Sequence, residues 1–145
     1  MMDAANSTIL RNYLKTSVKD VFSMTGVQLL PIRSLEGSSF AHGSRVLGLI
    51  SFTGNQMRGS VTLDLPEALA ARAYPKSAGT PADPYDLRDW TGELLNQIVG
   101  RLKRQLLKHA IALEMSSPST LTAASGRPPR LRAPGAIELH FRSAE

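Results

Sequence analysis

The chain predicts an α+β fold, with an antiparallel sheet and two long helices packed on one of its faces. Two long stretches, one beginning near Ser7 and one covering residues 86–109, space their apolar residues as a helix does. Residues 45–53 and 58–65 are rich in β-branched or apolar side chains and are separated by Gly54, Asn55 and Gln56, a turn signal that makes them a hairpin. The resulting order of helix, hairpin, short helix, long helix and closing strands puts the helices on one side of the sheet.

Each element follows from local chemistry. Ser7 or Asn6 can cap the first helix, whose Ile9, Leu10, Tyr13, Leu14, Val18, Val21 and Phe22 form its apolar face until Gly26 ends it. Residues 27–33 are extended but carry Pro31, which suits a sheet edge. In residues 58–65, Val61, Leu63 and Leu65 alternate with Thr62 and Asp64, so one face is buried and one is wet. Pro66 opens a short helix over 67–73, where its missing donor costs nothing. Residues 74–85 hold three prolines and a glycine and lead as a loop into the long helix, with Asp86 as its cap. Residues 110–115 alternate as a strand before the run Ser116, Ser117, Pro118, Ser119 turns it. After an arginine- and proline-rich loop, Ile137, Leu139 and Phe141 alternate as a closing strand.

Composition narrows the function. A chain of 145 residues with 42% hydrophobic and 20% charged residues reads as one globular domain, residues 1–145. Cysteine is absent, which removes disulfides, thiol nucleophiles and cysteine-bound zinc. The first residues show no signal-peptide pattern and no apolar run is of membrane-spanning length, so the expected location is cytoplasmic and no membrane partner is expected. Net charge is +5. The cations are spread over Arg101, Lys103, Arg104 and Lys108 and then Arg127, Arg130 and Arg132, with no aromatic residues among them, so nucleic acid is not an expected partner. His42, His109 and His140 are scattered without ligand spacing, and no metal site is expected.

The long helix is the informative element. Its apolar positions, Leu87, Trp90, Leu94, Leu95, Ile98, Val99, Leu102 and Leu106, fall on one half of the cylinder. Asp89, Glu93, Asn96 and Gly100 gather within roughly 60° on the other. Glu93 and Asn96 are surface neighbours. Gly92 and Gly100 flank Asn96 at four residues on each side and suggest a shelf on which another surface comes close. Two readings stand at this point. Either the polar residues solvate an exposed face, or they meet a partner.

No Walker loop, dinucleotide fingerprint or zinc-protease pattern is present. One kind of enzyme needs none of them. An acyl phosphate on another protein's aspartate is already activated, and a helper need only place a water in line and fix the docking, because phosphoryl transfer is accelerated mainly by positioning. A side-chain amide with two donors and one acceptor suits that task.

The run from Asp89 to Gly100, DWTGELLNQIVG, resembles the pattern D/S-xxx-E-xx-N-xxx-G of the CheC/CheX/FliY family of chemotaxis phosphatases. Residues 48–66 are similar to that family's glycine-punctuated hairpin, and residues 112–123 to the strand and proline that follow its helix. With one motif helix the chain resembles CheX-like members, which pair as homodimers. The resemblance implies a phosphatase that hydrolyses the aspartyl phosphate of a CheY-type response-regulator receiver domain. It assigns Glu93 to the receiver lysine and Asn96 to the attacking water as the catalytic pair, with Asp89, Gly92 and Gly100 on the partner-binding surface. It implies no cofactor of the chain's own, with Mg2+ held by the receiver. Arg101, Lys103 and Arg104 depart from the family pattern after the motif glycine. The alternative is a noncatalytic module that binds a receiver or joins a signalling complex.

Overall fold

The computed structural model describes residues 4–33, 43–75, 79, 82–124 and 136–144. The first helix, α1 (Ala4–Met24), starts before its expected caps, so Asn6 and Ser7 lie inside its first turn. It ends at Gly26, which has a positive φ of 85°, with Gly26 N–H donating to Ser23 O and Val27 N–H to Phe22 O. These two bonds close the last turn as a Schellman motif.

Strand β1 (Leu29–Ile32) pairs antiparallel with β6 (His140–Ser143) in a separate two-stranded sheet. Pro31 is tolerated there because, among the described residues, β1 pairs on one side only. The closing strand begins at His140, not at Ile137. The alternation of Ile137 and Leu139 was expected to continue a strand, but β1 is only four residues long and pairs no further than His140.

The larger sheet is built on β2 (Arg45–Gly54). On one side it pairs with β3 (Arg58–Pro66), which completes the expected hairpin. On the other side it pairs with both β4 (Leu113–Met115) and β5 (Ser119–Ala123). The chain was expected to turn at residues 116–119; instead it runs on along the same partner. Ser116 keeps its place beside Ser51, its N–H donating to Ser51 O at 2.9 Å and its Oγ accepting from Ser51 N at 3.0 Å. Pro118 then interrupts the ladder, since it has no donor to offer. Arg45 is buried and donates from Nε to Asp64 Oδ1 at 2.7 Å, a diagonal pair across β2 and β3.

Alternation along β2 turns Val46, Gly48 and Ile50 inward and leaves Leu49, Ser51 and Thr53 exposed. On the inner side lies α3 (Pro84–Leu107), reached through the short helix α2 (Glu67–Ala73). Leu94, Leu95, Ile98, Val99 and Leu102 of α3 are fully buried, and Trp90 is half-buried, edge-on to Tyr74. Helix α1 packs along α3 through Val18, Val21 and Phe22, with both helices on the same face of the sheet. No helix among the described residues is long and apolar enough to cross a membrane.

The cap of α3 is Asp83, three residues before the expected one. Asp83 Oδ1 accepts from Asp86 N at 2.8 Å while Asp86 Oδ2 accepts from Asp83 N at 3.0 Å, a reciprocal capping box with Pro84 in the first turn. At the other end the chain leaves through Ala110 at φ 59°, a left-handed residue with a side chain. Ile111 N–H donates to Leu106 O and Ala110 N–H to Leu107 O, so the turn demands that conformation. Ala110→Gly is therefore expected to raise stability by about 1 kcal/mol, measured as a higher denaturant midpoint with an unchanged slope.

Candidate active site

The apolar stripe of α3 fixes what its other side presents. Because Leu94, Leu95, Ile98 and Val99 are anchored in the core, Asp89, Glu93 and Asn96 are held out to solvent, and all three are exposed. The buried Thr91 donates its Oγ1 to Leu87 O at 2.8 Å, which satisfies the hydroxyl within the helix.

Seating of the helix depends on small residues. A Cβ on Gly92 would stand 3.3 Å from Thr120 Cγ2 and 3.4 Å from Pro118 Cγ, and one on Gly48 would stand 3.2 Å from Leu95 Cδ2. Gly92 was expected on a partner-facing shelf; it is buried against β5 of its own chain instead. The close approach it permits is internal, and it sets the height of Glu93 and Asn96 above the sheet. Gly100 is half-buried, with Arg104 Nη1 lying 3.9 Å from the position of a Cβ.

Glu93 is pre-oriented by a residue that the motif does not contain. Gln97 Nε2 donates to Glu93 Oε1 at 3.0 Å. The signal was present as the i, i+4 spacing of an amide and a carboxylate on one helix. Asn96 has no hydrogen-bond partner among the described residues, which leaves both donors and the acceptor of its amide available.

The histidines sit elsewhere. His109 Nε2 shares a hydrogen bond of 2.9 Å with the Tyr13 hydroxyl and ties α1 to the end of α3, while His140 lies 3.8 Å from Glu138. His42 and the arginines at 127, 130 and 132 lie outside the described residues. Among the described residues no group of three or more His, Asp or Glu side chains is placed to hold a metal ion.

The helix thus buries one side against an antiparallel sheet and offers an exposed carboxylate and a free carboxamide on the other. The family described as chemotaxis phosphatase CheX matches residues 46–139, and the chain belongs to that family.

Solved structures agree with this. A chemotaxis protein CheX from Vibrio vulnificus is 27% identical with a TM-score of 0.76, over 92% of this chain and 87% of that one. A CheC-like superfamily protein from Shewanella sp. PV-4 is 26% identical with a TM-score of 0.67, over 81% of this chain and 79% of that one. The fold also matches a CheX–CheY–BeF3–Mg2+ complex from Borrelia burgdorferi, at 15% identity and a TM-score of 0.59, over 100% of this chain and 92% of that one. No curated protein matches the chain in sequence.

Proposed function

We propose that the chain accelerates hydrolysis of the aspartyl phosphate on a CheY-type receiver domain, with Asn96 orienting the attacking water and Glu93 engaging the receiver's lysine. The observation that carries the reading is the free amide of Asn96, exposed on a rigid helix one turn from a pre-oriented carboxylate. Family membership supports it, and so does the CheX–CheY–BeF3–Mg2+ complex formed by a protein of the same fold.

The chemistry asked of this chain is small. The amide accepts from, and so aligns, a water behind the phosphorus, while the carboxylate fixes the receiver so that the alignment persists. Magnesium belongs to the receiver, where it neutralises charge on the phosphoryl oxygens, and the chain adds no metal of its own. Such a reaction belongs in the cytoplasm. The test is the decay of phosphorylated CheY-type receivers, prepared with acetyl phosphate, with and without the chain. Decay that is unchanged for every receiver overturns the reading, and binding without faster decay assigns a noncatalytic role.

A homodimer is part of the same proposal. The outer face of the sheet leaves Leu49 and Leu121 exposed at 38% and 54%, apolar area that pairing could cover. Light scattering at micromolar concentration is expected to give twice the chain mass; a monomer mass would remove the CheX-like assembly.

A further inference from the structure

The solvent side of α3 is divided by sign. Asp86, Asp89 and Glu93 precede Asn96, and Arg101, Lys103, Arg104 and Lys108 follow it. Arg88 lies off this face, 4.4 Å above the ring of Tyr85. The helix dipole favours acids at the start and cations at the end, but that effect fades within one turn of each terminus. Glu93 and Arg101 lie deeper than that, so the dipole does not account for them.

The cations differ in what they do. Arg101 turns to α1, with Nη1 3.9 Å from Asp20 Oδ2 and Nη2 3.0 Å from Met24 Sδ. Arg104 is exposed and has no hydrogen bond or ion pair among the described residues. Its guanidinium reaches back one turn to lie beside Gly100, with Nη1 3.9 Å from where a Cβ on that residue would stand. Gly100 is itself one turn beyond Asn96 and within about 40° of it around the helix. The guanidinium therefore stands about one turn beyond the amide along α3, beside Gly100 and at the rim of a groove that Arg104 lines with Tyr13, Asp20 and Arg101, with its donors unused.

We infer that Arg104 is a docking residue of the site, pairing with a carboxylate at the rim of the receiver's acidic phosphorylation pocket. The inference rests on the receiver reading above and adds a direction to it. A pocket that displays a lysine and a cluster of carboxylates meets Glu93 on one side of Asn96 and Arg104 on the other, so the two charges of opposite sign admit one orientation of the partner. The planar guanidinium can donate to both oxygens of a carboxylate in a forked pair, which a lysine cannot.

The experiment compares Arg104→Gln, Arg104→Lys and the control Lys19→Gln, an exposed cation on α1 that removes the same charge. Steady-state dephosphorylation is measured over a range of salt, and binding is measured with receivers locked in the active form by beryllofluoride and Mg2+. Arg104→Gln is expected to raise KM about tenfold with kcat unchanged and to flatten its salt dependence. Arg104→Lys should recover only part of that, and Lys19→Gln none. Equal effects of Arg104→Gln and Lys19→Gln, or a KM that does not move, overturn the inference while leaving the phosphatase reading intact. If the wild type binds locked receivers without hydrolysis, the phosphatase reading fails and Arg104 is judged by the change in Kd. If it binds none of them, both fall.

Discussion

Asn96→Ala is expected to remove the acceleration of receiver dephosphorylation, with kcat falling about 100-fold or more, and to leave the fold intact. The side chain is exposed and makes no hydrogen bond among the described residues, so nothing in the structure depends on it. Alanine is also the better helix former, by about 0.5 kcal/mol. Thermal unfolding should therefore move slightly upward while activity is lost, a combination that misfolding cannot imitate. Asn96→Asp sharpens the comparison: it keeps the size of the group but replaces two donors with a negative charge facing a phosphoryl group. Glu93→Ala should act differently, raising KM more than it lowers kcat, because its task is to hold the receiver. A variant at residue 96 with wild-type kcat would separate the amide from the chemistry.

Gly54→Ala is expected to destabilise the protein by about 3 kcal/mol, lowering the melting temperature by roughly 10 °C. At the end of β2 a Cβ on residue 54 would stand 2.3 Å from Ala112 O and 2.8 Å from Leu113 Cδ2. The carbonyl belongs to backbone held by two bonds to the next residue, with Asn55 N–H donating to it and Asn55 Oδ1 accepting from Ala112 N at 3.0 Å. Neither backbone can yield without opening the pairing of β2 with β4. Calorimetry measures the loss, and a melting point within two degrees of wild type would show that the hairpin end has slack.

Gly54 also shows where sequence reasoning stopped. It was legible as a turn residue, because Gly, Asn and Gln between two alternating runs mark a hairpin whatever lies beyond it. Its closeness to Ala112 was not, since that contact joins residues 58 positions apart. The long helix was legible for the same local reason, as were its buried stripe and the exposure of Glu93 and Asn96. Its cap was misplaced because Asp83 and Asp86 each satisfy the other, and Pro84 marks the first of them only once a capping box is considered. Gly92 was misread because a helix shows which side is apolar, not which glycine meets a proline 26 positions further along the chain. Asn55, Pro118 and Arg45 owe their roles to such crossings, and the run of serines around Pro118 looked like a turn because its partner, β2, lies far back in the chain.

The small sheet has a consequence for how the protein comes into being. Leu29 lies opposite Ser143, so β1 finds its partner 114 positions later. Closing a loop of that length is entropically costly and returns only four residues of pairing. A ribosome will have delivered the hairpin, α3 and the strands at its far edge before the segment that clasps β1 exists. Until then the side of α1 near Leu29 stands open, and a strand made only after α3 and the larger sheet is what shuts it.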